Sequence, residues 1–395
     1  MLRLSLVLIL MVTLPAFAVE ETPDTLSTFW IDPIVVEAGG LRHGEFEILL
    51  DKGNHKEMLR RSGFALIDKG MAFTSDLYLQ GFKRDDIVLR VDGERFPCAC
   101  ANRMDNPSTR INPLEVCSSM VDKTSSSVGA GLGGSVEFKR ERPGEGPAFR
   151  VVSSGESAGG TAFDTALAFD YGGYRSTARF AQGEPFDDGD GKNFADKYGY
   201  AENHSYSLLE VGVYGQRGNW GQGLNFSRSE DVLFPYLKMD ERQTDFIGFH
   251  GSWKEHRLYY NHTRHLMDNE LRGGPTLMVS DAYNTTFGLT GSNYELYYRN
   301  WDTENYFDNP NFHIDNHLIP DLHQVSLSGD RQFRPSENFE LGARLGLHYV
   351  KMGDGDRIDF HNALHVDGKD ASFFMPFGFH AGMKHLLGEK LLAGL

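Results

Sequence analysis

The chain has 395 residues, a formal net charge of -16, 40% hydrophobic and 12% aromatic residues, 44 glycines and 15 prolines. Its acidity has the wrong sign for non-specific binding to nucleic acid, and its length allows two domains. Many glycines and aromatics at modest hydrophobicity suit numerous strands that are apolar on one face only, a composition a soluble enzyme can share.

Residues 1–18 carry a basic start at Arg3, an apolar run from Leu4 to Leu14, and a small-x-small close at Ala16-Phe17-Ala18. This is the pattern of a secretory signal peptide cleaved after Ala18, because the apolar run falls short of the roughly 20 residues that cross a bilayer as a helix. No later run reaches that length, so the mature chain is expected to be periplasmic, secreted or a membrane β-barrel. Residues 19–45 form an arm with one β-branched run, Asp32-Pro33-Ile34-Val35-Val36-Glu37-Ala38. Such a run can add to the sheet edge of a partner, or serve as a linker.

Over residues 46–145 the pattern changes to short mixed elements. They include a helical stretch near 56–61, a strand Ile87-Val88-Leu89-Arg90-Val91 closing on the turn Asp92-Gly93, and a last strand Gly134-Ser135-Val136-Glu137-Phe138-Lys139. This predicts an α+β unit. The three cysteines, Cys98, Cys100 and Cys117, all fall here. In an exported chain one pair can form a disulfide, which leaves one thiol over.

Over residues 146–395 strands of roughly ten residues alternate with Gly, Asp and Asn turns. Phe339, Leu341, Ala343, Leu345, Leu347 and Tyr349 oppose Glu340, Gly342, Arg344, Gly346 and His348. The same split sets Leu209, Val211 and Val213 against Glu210, Gly212 and Tyr214, and Ile247, Phe249 and Trp253 against Thr244, Gly248, His250 and Ser252. A soluble sandwich and a membrane barrel both produce this alternation. Strand length favours the barrel, with Tyr259, Tyr260, Tyr297, Tyr298 and Trp301 expected in an interfacial girdle. The fold class expected is mainly β, an α+β unit followed by an antiparallel barrel.

The residues that identify a family lie in the α+β unit: Leu59-Arg60-Arg61-Ser62-Gly63-Phe64, Leu79-Gln80-Gly81-Phe82, Val88-Leu89-Arg90-Val91-Asp92-Gly93, Ile111-Asn112-Pro113 and Gly131-Leu132-Gly133-Gly134-Ser135-Val136. In order and spacing the unit resembles the plug of TonB-dependent outer-membrane receptors. Two positions depart: Gln80 stands where such plugs usually carry arginine, and Cys117-Ser118-Ser119-Met120 replaces a usual charged stretch. The resemblance implies that Ile34-Val35-Val36-Glu37-Ala38 is a TonB box, gripped by a TonB-type periplasmic energy-transducing protein. It also implies an outer-membrane location, with lipid against the barrel.

Within the family the likeness narrows to copper-associated receptors of the OprC and NosA type. It rests on Cys100-Ala101-Asn102-Arg103-Met104-Asp105, Leu237-Lys238-Met239-Asp240, Tyr259-Tyr260-Asn261 and His265-Leu266-Met267-Asp268-Asn269. Those relatives are longer, with roughly 22 barrel strands. This chain is expected to hold the plug and an incomplete barrel of about 12 strands.

The resemblance implies a metal site made of a Cys-x3-Met pair on the plug and a His-x-Met pair on the barrel, here Cys100, Met104, His265 and Met267. The set is physically coherent. His265 and Met267 project the same way from one strand, and Arg257, Tyr259, Asn261 and Thr263 mark that face as the polar, lumen-facing one. His262 and Arg264 on the opposite face put the pair near the rim. Thiolate, thioether and one imidazole suit copper, Cu(I) above all, whereas zinc gains little from thioethers. Composition alone would supply about half a His-x-Met by chance, so the matching flanks carry the assignment.

Other features are weaker. Gly129-Ala130-Gly131-Leu132-Gly133-Gly134 lacks the Lys-Ser/Thr of a phosphate loop, and Asp187-Asp188-Gly189-Asp190-Gly191 lacks the glutamate that closes a calcium loop. His313, His317 and His323 are expected as solvated loop histidines, and no nucleophile or zinc-protease motif is present. The expectation is a copper-binding receptor that catalyses no reaction. Its rivals are a receptor for a siderophore, haem or another metal chelate and, in another class, a non-transporting surface barrel or a non-functional fragment. The last follows from physics, since an unclosed barrel leaves unpaired backbone groups in lipid at several kcal/mol each.

Overall fold

The computed structural model describes residues 45–49 and 59–353, apart from 61–62, 84–85, 124–130, 158–159 and 337–338, and then 355–359, 362–366, 372–375, 377–386 and 389–391. The expected signal peptide, TonB box and most of the helical stretch near 56–61 lie outside the described residues. Leu59 and Arg60 are helical. All that follows belongs to one compact unit.

The N-terminal part is a five-stranded mixed sheet built from β1 (Glu45–Leu49), β4 (Val88–Val91), β5 (Glu94–Arg95), β6 (Val116–Asp122) and β7 (Ser135–Arg140), in the order β1-β6-β7-β4-β5. A hairpin of β2 (Ala65–Asp68) and β3 (Ser75–Tyr78) stands apart from it. Pairing is antiparallel except between β4 and β7. The dry core is Leu77, Leu79, Leu89, Val121, Val136 and Phe138 with their neighbours. Each such side chain contributes about 1.5–3 kcal/mol on burial. The Asp92-Gly93 turn is a left-handed pair, φ 50° and 86°. This is the two-residue geometry that matches strand twist, and it delivers Glu94 and Arg95 to the barrel side.

Eleven strands then follow as an antiparallel meander: β8 (Ala148–Ser157), β9 (Thr161–Tyr171), β10 (Tyr174–Gly183), β11 (Tyr206–Arg217), β12 (Trp220–Val232), β13 (Asp240–Trp253), β14 (His256–Asp268), β15 (Leu277–Gly291), β16 (Tyr294–Asn309), β17 (Phe312–Ser336) and β18 (Phe339–Lys351). The sheet runs on through Phe377–Leu386 to Glu389–Leu391 and contains 14 strands in all. Among the described residues its two outermost strands do not pair with each other. Two-residue turns such as Gly172-Gly173 close one end, while connections 184–205, 233–239 and 269–276 close the other. Short turns at one end and long loops at the other is the asymmetry of membrane barrels.

Alternation sorts the side chains as the sequence pattern requires. Leu209, Val211, Val213, Ile247, Phe249, Leu345 and Leu347 are exposed on the outer face, while Glu210, Thr244 and His250 are buried on the inner one. No helix among the described residues is long and apolar enough to cross a membrane. Three expectations need correction. Tyr259 and Tyr297 are buried, and Trp301 turns inward to bond the N-terminal sheet unit, so these three are not girdle residues. Neighbours on a strand face opposite ways, and only one of each pair, Tyr260 or Tyr298, can face outward. Tyr171, Tyr174, Trp220 and Trp253, beside the short turns, are exposed aromatics there. Strands also exceed ten residues, β17 reaching 25. His313, His317 and His323 therefore sit on this strand and not in a loop, with His313 between Asp308 (3.6 Å) and Asp315 (3.0 Å). The Asp188 turn is closed by Lys197 at 2.9 Å.

Candidate metal centre

The loop that bears the first pair of candidate ligands is held by its own sequence. The Asp105 carboxylate accepts hydrogen bonds from the backbone amides of Ala99 (2.6 Å) and Cys100 (3.1 Å). The Arg103 amide donates to the Cys100 carbonyl at 2.9 Å, a turn that sets Cys100 and Met104 on one side. Arg103 takes a left-handed φ of 56°, uncommon for such a side chain. Its guanidinium is fastened to buried Asp76 at 2.9 Å, and Lys69 (2.8 Å) and Asn106 (3.1 Å) bond the same carboxylate.

Barrel residues clamp the loop from the other side. Asn284 (2.6 Å) and Arg299 (3.1 Å) donate to the Cys98 carbonyl, and Trp301 donates to that of Ala99 at 2.6 Å. The three cysteines are thiols, none in a disulfide. Charge-assisted bonds of the Asp105 kind contribute about 1.5–3 kcal/mol. Asp105→Ala is therefore expected to speed hydrogen exchange at the Ala99 and Cys100 amides by about tenfold or more, read by exchange mass spectrometry. An unchanged rate would mean that the barrel clamp alone fixes the loop.

The second pair comes from β14, whose inward side chains run Tyr259, Asn261, Thr263, His265, Met267. Near the long-loop end of that strand His265 is 1% exposed and Met267 3%, facing Cys100 (8%) and Met104 (7%). Cys100, Met104 and Met267 form one buried cluster with Val232 and Phe234, against which Phe73, Tyr206, Leu237 and Met239 pack. The Cys100 thiol is close enough to act on the His265 ring. Thr244, directly across on β13, shares a 2.7 Å hydrogen bond with His265 Nδ1, and Glu241 Oε2 stands 3.5 Å from the same nitrogen. The opposite nitrogen, Nε2, is buried without a hydrogen-bond partner.

The four residues expected from sequence thus share one neighbourhood. A buried imidazole with one nitrogen held and the other unpartnered, beside a thiol and two thioethers, is a set of metal donors with its ring oriented from behind. Among the described residues no group of three or more His, Cys, Asp or Glu is placed to hold a metal ion, so the thioethers distinguish this cluster. A cavity of about 320 Å³ lined by Cys98, Cys100, Ala101, Arg103 and Trp301 reaches the thiol.

Sequence reasoning missed the cover. The 233–239 connection folds inward, with Phe234 fully buried, and is pinned through Asp240. That carboxylate accepts from Tyr200 (2.7 Å), the Phe234 amide (2.7 Å) and Arg272 (2.8 Å). Burial first, then Asp240 beside it, push the Tyr200 phenol well above its ordinary value, so it stays a donor. The signal available was Met239-Asp240, which gives no hint of distant Tyr200 and Arg272.

No family model and no curated protein matches the chain. Solved structures do. The copper transporter OprC matches at 17% identity with a TM-score of 0.61, over 86% of this chain and 61% of its own. The ferric yersiniabactin uptake receptor FyuA from Yersinia pestis matches at 14% and 0.56, over 87% and 62%. The FrpB iron transporter from Neisseria meningitidis (F3-3 variant) matches at 12% and 0.52, over 84% and 60%. The fold is that of the TonB-dependent outer-membrane receptors, a plug sheet against antiparallel barrel strands. The chain spans about three fifths of the length of these structures, and each of the three is a transport protein by name.

Proposed function

We propose that this chain is a TonB-dependent outer-membrane receptor that captures copper between plug (46–145) and barrel (146–395) for import into the periplasm. The observation that carries the reading is the buried, unpartnered His265 Nε2 beside Cys100, Met104 and Met267. An imidazole nitrogen buried without a partner costs about 1–3 kcal/mol, a cost that a bound cation removes. Sulfur donors choose copper, and Cu(I) in particular. In this reading copper is cargo, and a TonB-type periplasmic protein supplies the pull through Ile34-Val35-Val36-Glu37-Ala38. The name and the TM-score of the copper transporter support the same cargo.

The experiment is elemental mass spectrometry of protein extracted from outer membranes, native beside Cys100→Ala. Near-stoichiometric copper in the native protein and its loss in the variant is the expected result. Equal copper in the two would sink the reading. Displacement by a metal chelate and not by free ion would turn it to the siderophore or haem alternative, which the two iron-uptake neighbours make the second candidate.

A further inference from the structure

The four-donor centre uses one of the two thiols in its loop and leaves the other outside the donor set. Cys98 and Cys100 are both buried, 2% and 8% exposed. Both line the same unsealed cavity of about 320 Å³, with Arg103, Trp301 and Ile319 on its other walls. One water occupies roughly 10–15 Å³ of such space, so the cavity admits solvent and small solutes to the pair. Cys117 lies elsewhere, on β6, with its Sγ against the carbonyls of Lys139 (3.6 Å) and Arg140 (3.8 Å). An exported chain meets oxidants, and two thiols in one cavity are open to an exchange that a single buried thiol cannot complete.

The backbone allows the pair to join. A disulfide requires Cα atoms about 4.4–6.8 Å apart. Two residues of fully extended chain span about 7 Å at most, and the chain here bends at Ala99 and Cys100, which brings the spacing inside that window. The bend is fixed from both sides. Asp105 accepts from the amides of Ala99 (2.6 Å) and Cys100 (3.1 Å), while Asn284 and Trp301 hold the carbonyls of Cys98 and Ala99. Closing the pair therefore calls for side-chain rotation and no movement of the loop. A disulfide that spans a single residue closes a small ring, and strained disulfides are the readily reduced, regulatory kind.

We propose that Cys98 and Cys100 are a reversible dithiol–disulfide pair that switches the metal centre, on when reduced and off when oxidised. The oxidant is by class a disulfide, X–S–S–X. One cysteine thiolate attacks it, forming a mixed disulfide and releasing the first X–S⁻. The second cysteine attacks the protein sulfur of that mixed disulfide, closes the Cys98–Cys100 bond and releases the second X–S⁻. The two protein sulfurs give up two electrons to X–S–S–X, and their two protons end on the two X–SH. In the closed pair Cys100 has no thiolate to offer, and Met104, His265 and Met267 remain alone. The reverse holds by linkage, since a thiolate engaged by copper does not attack and capture keeps the pair reduced. The inference rests on the copper reading for the ligand that is switched, whereas the disulfide stands apart from it.

The native chain serves for the test. Trypsin cuts after Arg95 and Arg103 and puts both cysteines in one peptide, 96–103, while Cys117 falls in peptide 111–123. Copper-free protein extracted from outer membranes is treated with oxidised glutathione, alkylated with iodoacetamide and digested. Peptide 96–103 is expected to emerge unalkylated and two hydrogens lighter than its reduced form, with Cys117 still alkylated. Cu(I) binding by the oxidised protein is expected to fall by about tenfold or more, the scale of lost partners at a metal site. Dithiothreitol, removed afterwards, should restore both thiols and binding, and protein loaded with Cu(I) before the oxidant should keep its thiols. A peptide 96–103 that stays alkylated, or carries glutathione without closing, overturns the proposal, as does a closed disulfide with undiminished copper binding. Reduced protein that binds no copper overturns the copper reading, while the peptide mass still decides the disulfide.

Discussion

Replacing both thioethers by leucine, Met104→Leu with Met267→Leu, is expected to weaken Cu(I) binding by about 100-fold or more while leaving the protein folded. The fold should survive because the swap conserves volume, which usually costs under about 1.5 kcal/mol, and because Val232 and Phe234 already make the neighbourhood apolar. The affinity should not survive, because two soft donors leave and only Cys100 and His265 remain. Even outer partners of a metal site are worth about 10–100-fold, so the loss of two proposed direct ligands sets that range as a floor. Competition with a chromophoric Cu(I) chelator reads the affinity, and a thermal melt in detergent reads the fold. Selectivity over zinc should fall in parallel, since zinc draws little from thioethers. Unchanged affinity would reduce the two methionines to packing.

Much of this arrangement is legible in the sequence because strands have a period of two. His265 and Met267 had to share a face with Asn261 and Thr263, and the structure puts that face inward. The same rule forbids Tyr259-Tyr260 and Tyr297-Tyr298 from facing outward together, and Tyr259 and Tyr297 are the buried members of the two pairs. What could not be read is whatever depends on contacts between distant residues. Asn284, Arg299 and Trp301 hold the carbonyls of Cys98 and Ala99 across about two hundred positions, and no local pattern announces such a bond. Thr244 and His265 are partners by register across β13 and β14, which is fixed by hairpin geometry that side-chain chemistry does not encode. A partial clue was present in β16, where Glu295 and Arg299 are charges on an inward face. A charge there needs a partner, but the sequence does not say which.

For Glu295 the partner is double, and removing it should have the largest effect on stability of any single change in the plug-barrel contact. Arg95 gives Glu295 two parallel bonds of 2.6 Å, and Arg90 adds one at 3.2 Å. All three side chains are largely buried, with Glu295 3% exposed. Burial works against the Arg95 charge, and Glu295 outweighs it, so the guanidinium sits above its ordinary value. Tyr297 supports it further, its ring centroid 4.4 Å from the guanidinium carbon. Glu295→Ala would leave the buried Arg95 guanidinium without its bidentate carboxylate, a cost of about 3–5 kcal/mol. Replacing the bidentate pair with apolar residues, Arg95→Met with Glu295→Leu, should cost less than the single change, because it removes a stranded charge along with its partner. Denaturant titration monitored on plug tryptic peptides would rank the two. A loss under about 1 kcal/mol in the single variant would mean that water reaches the pair, as in surface ion pairs. Copper content should be unaffected in either case, since Glu295 lies beside the short turn that opens β16 and the His265 centre at the far end of β14. On the proposed reading, retention of the plug and capture of the ion fall at opposite ends of these strands, and a variant that lost copper along with the pair would show instead that the two are coupled.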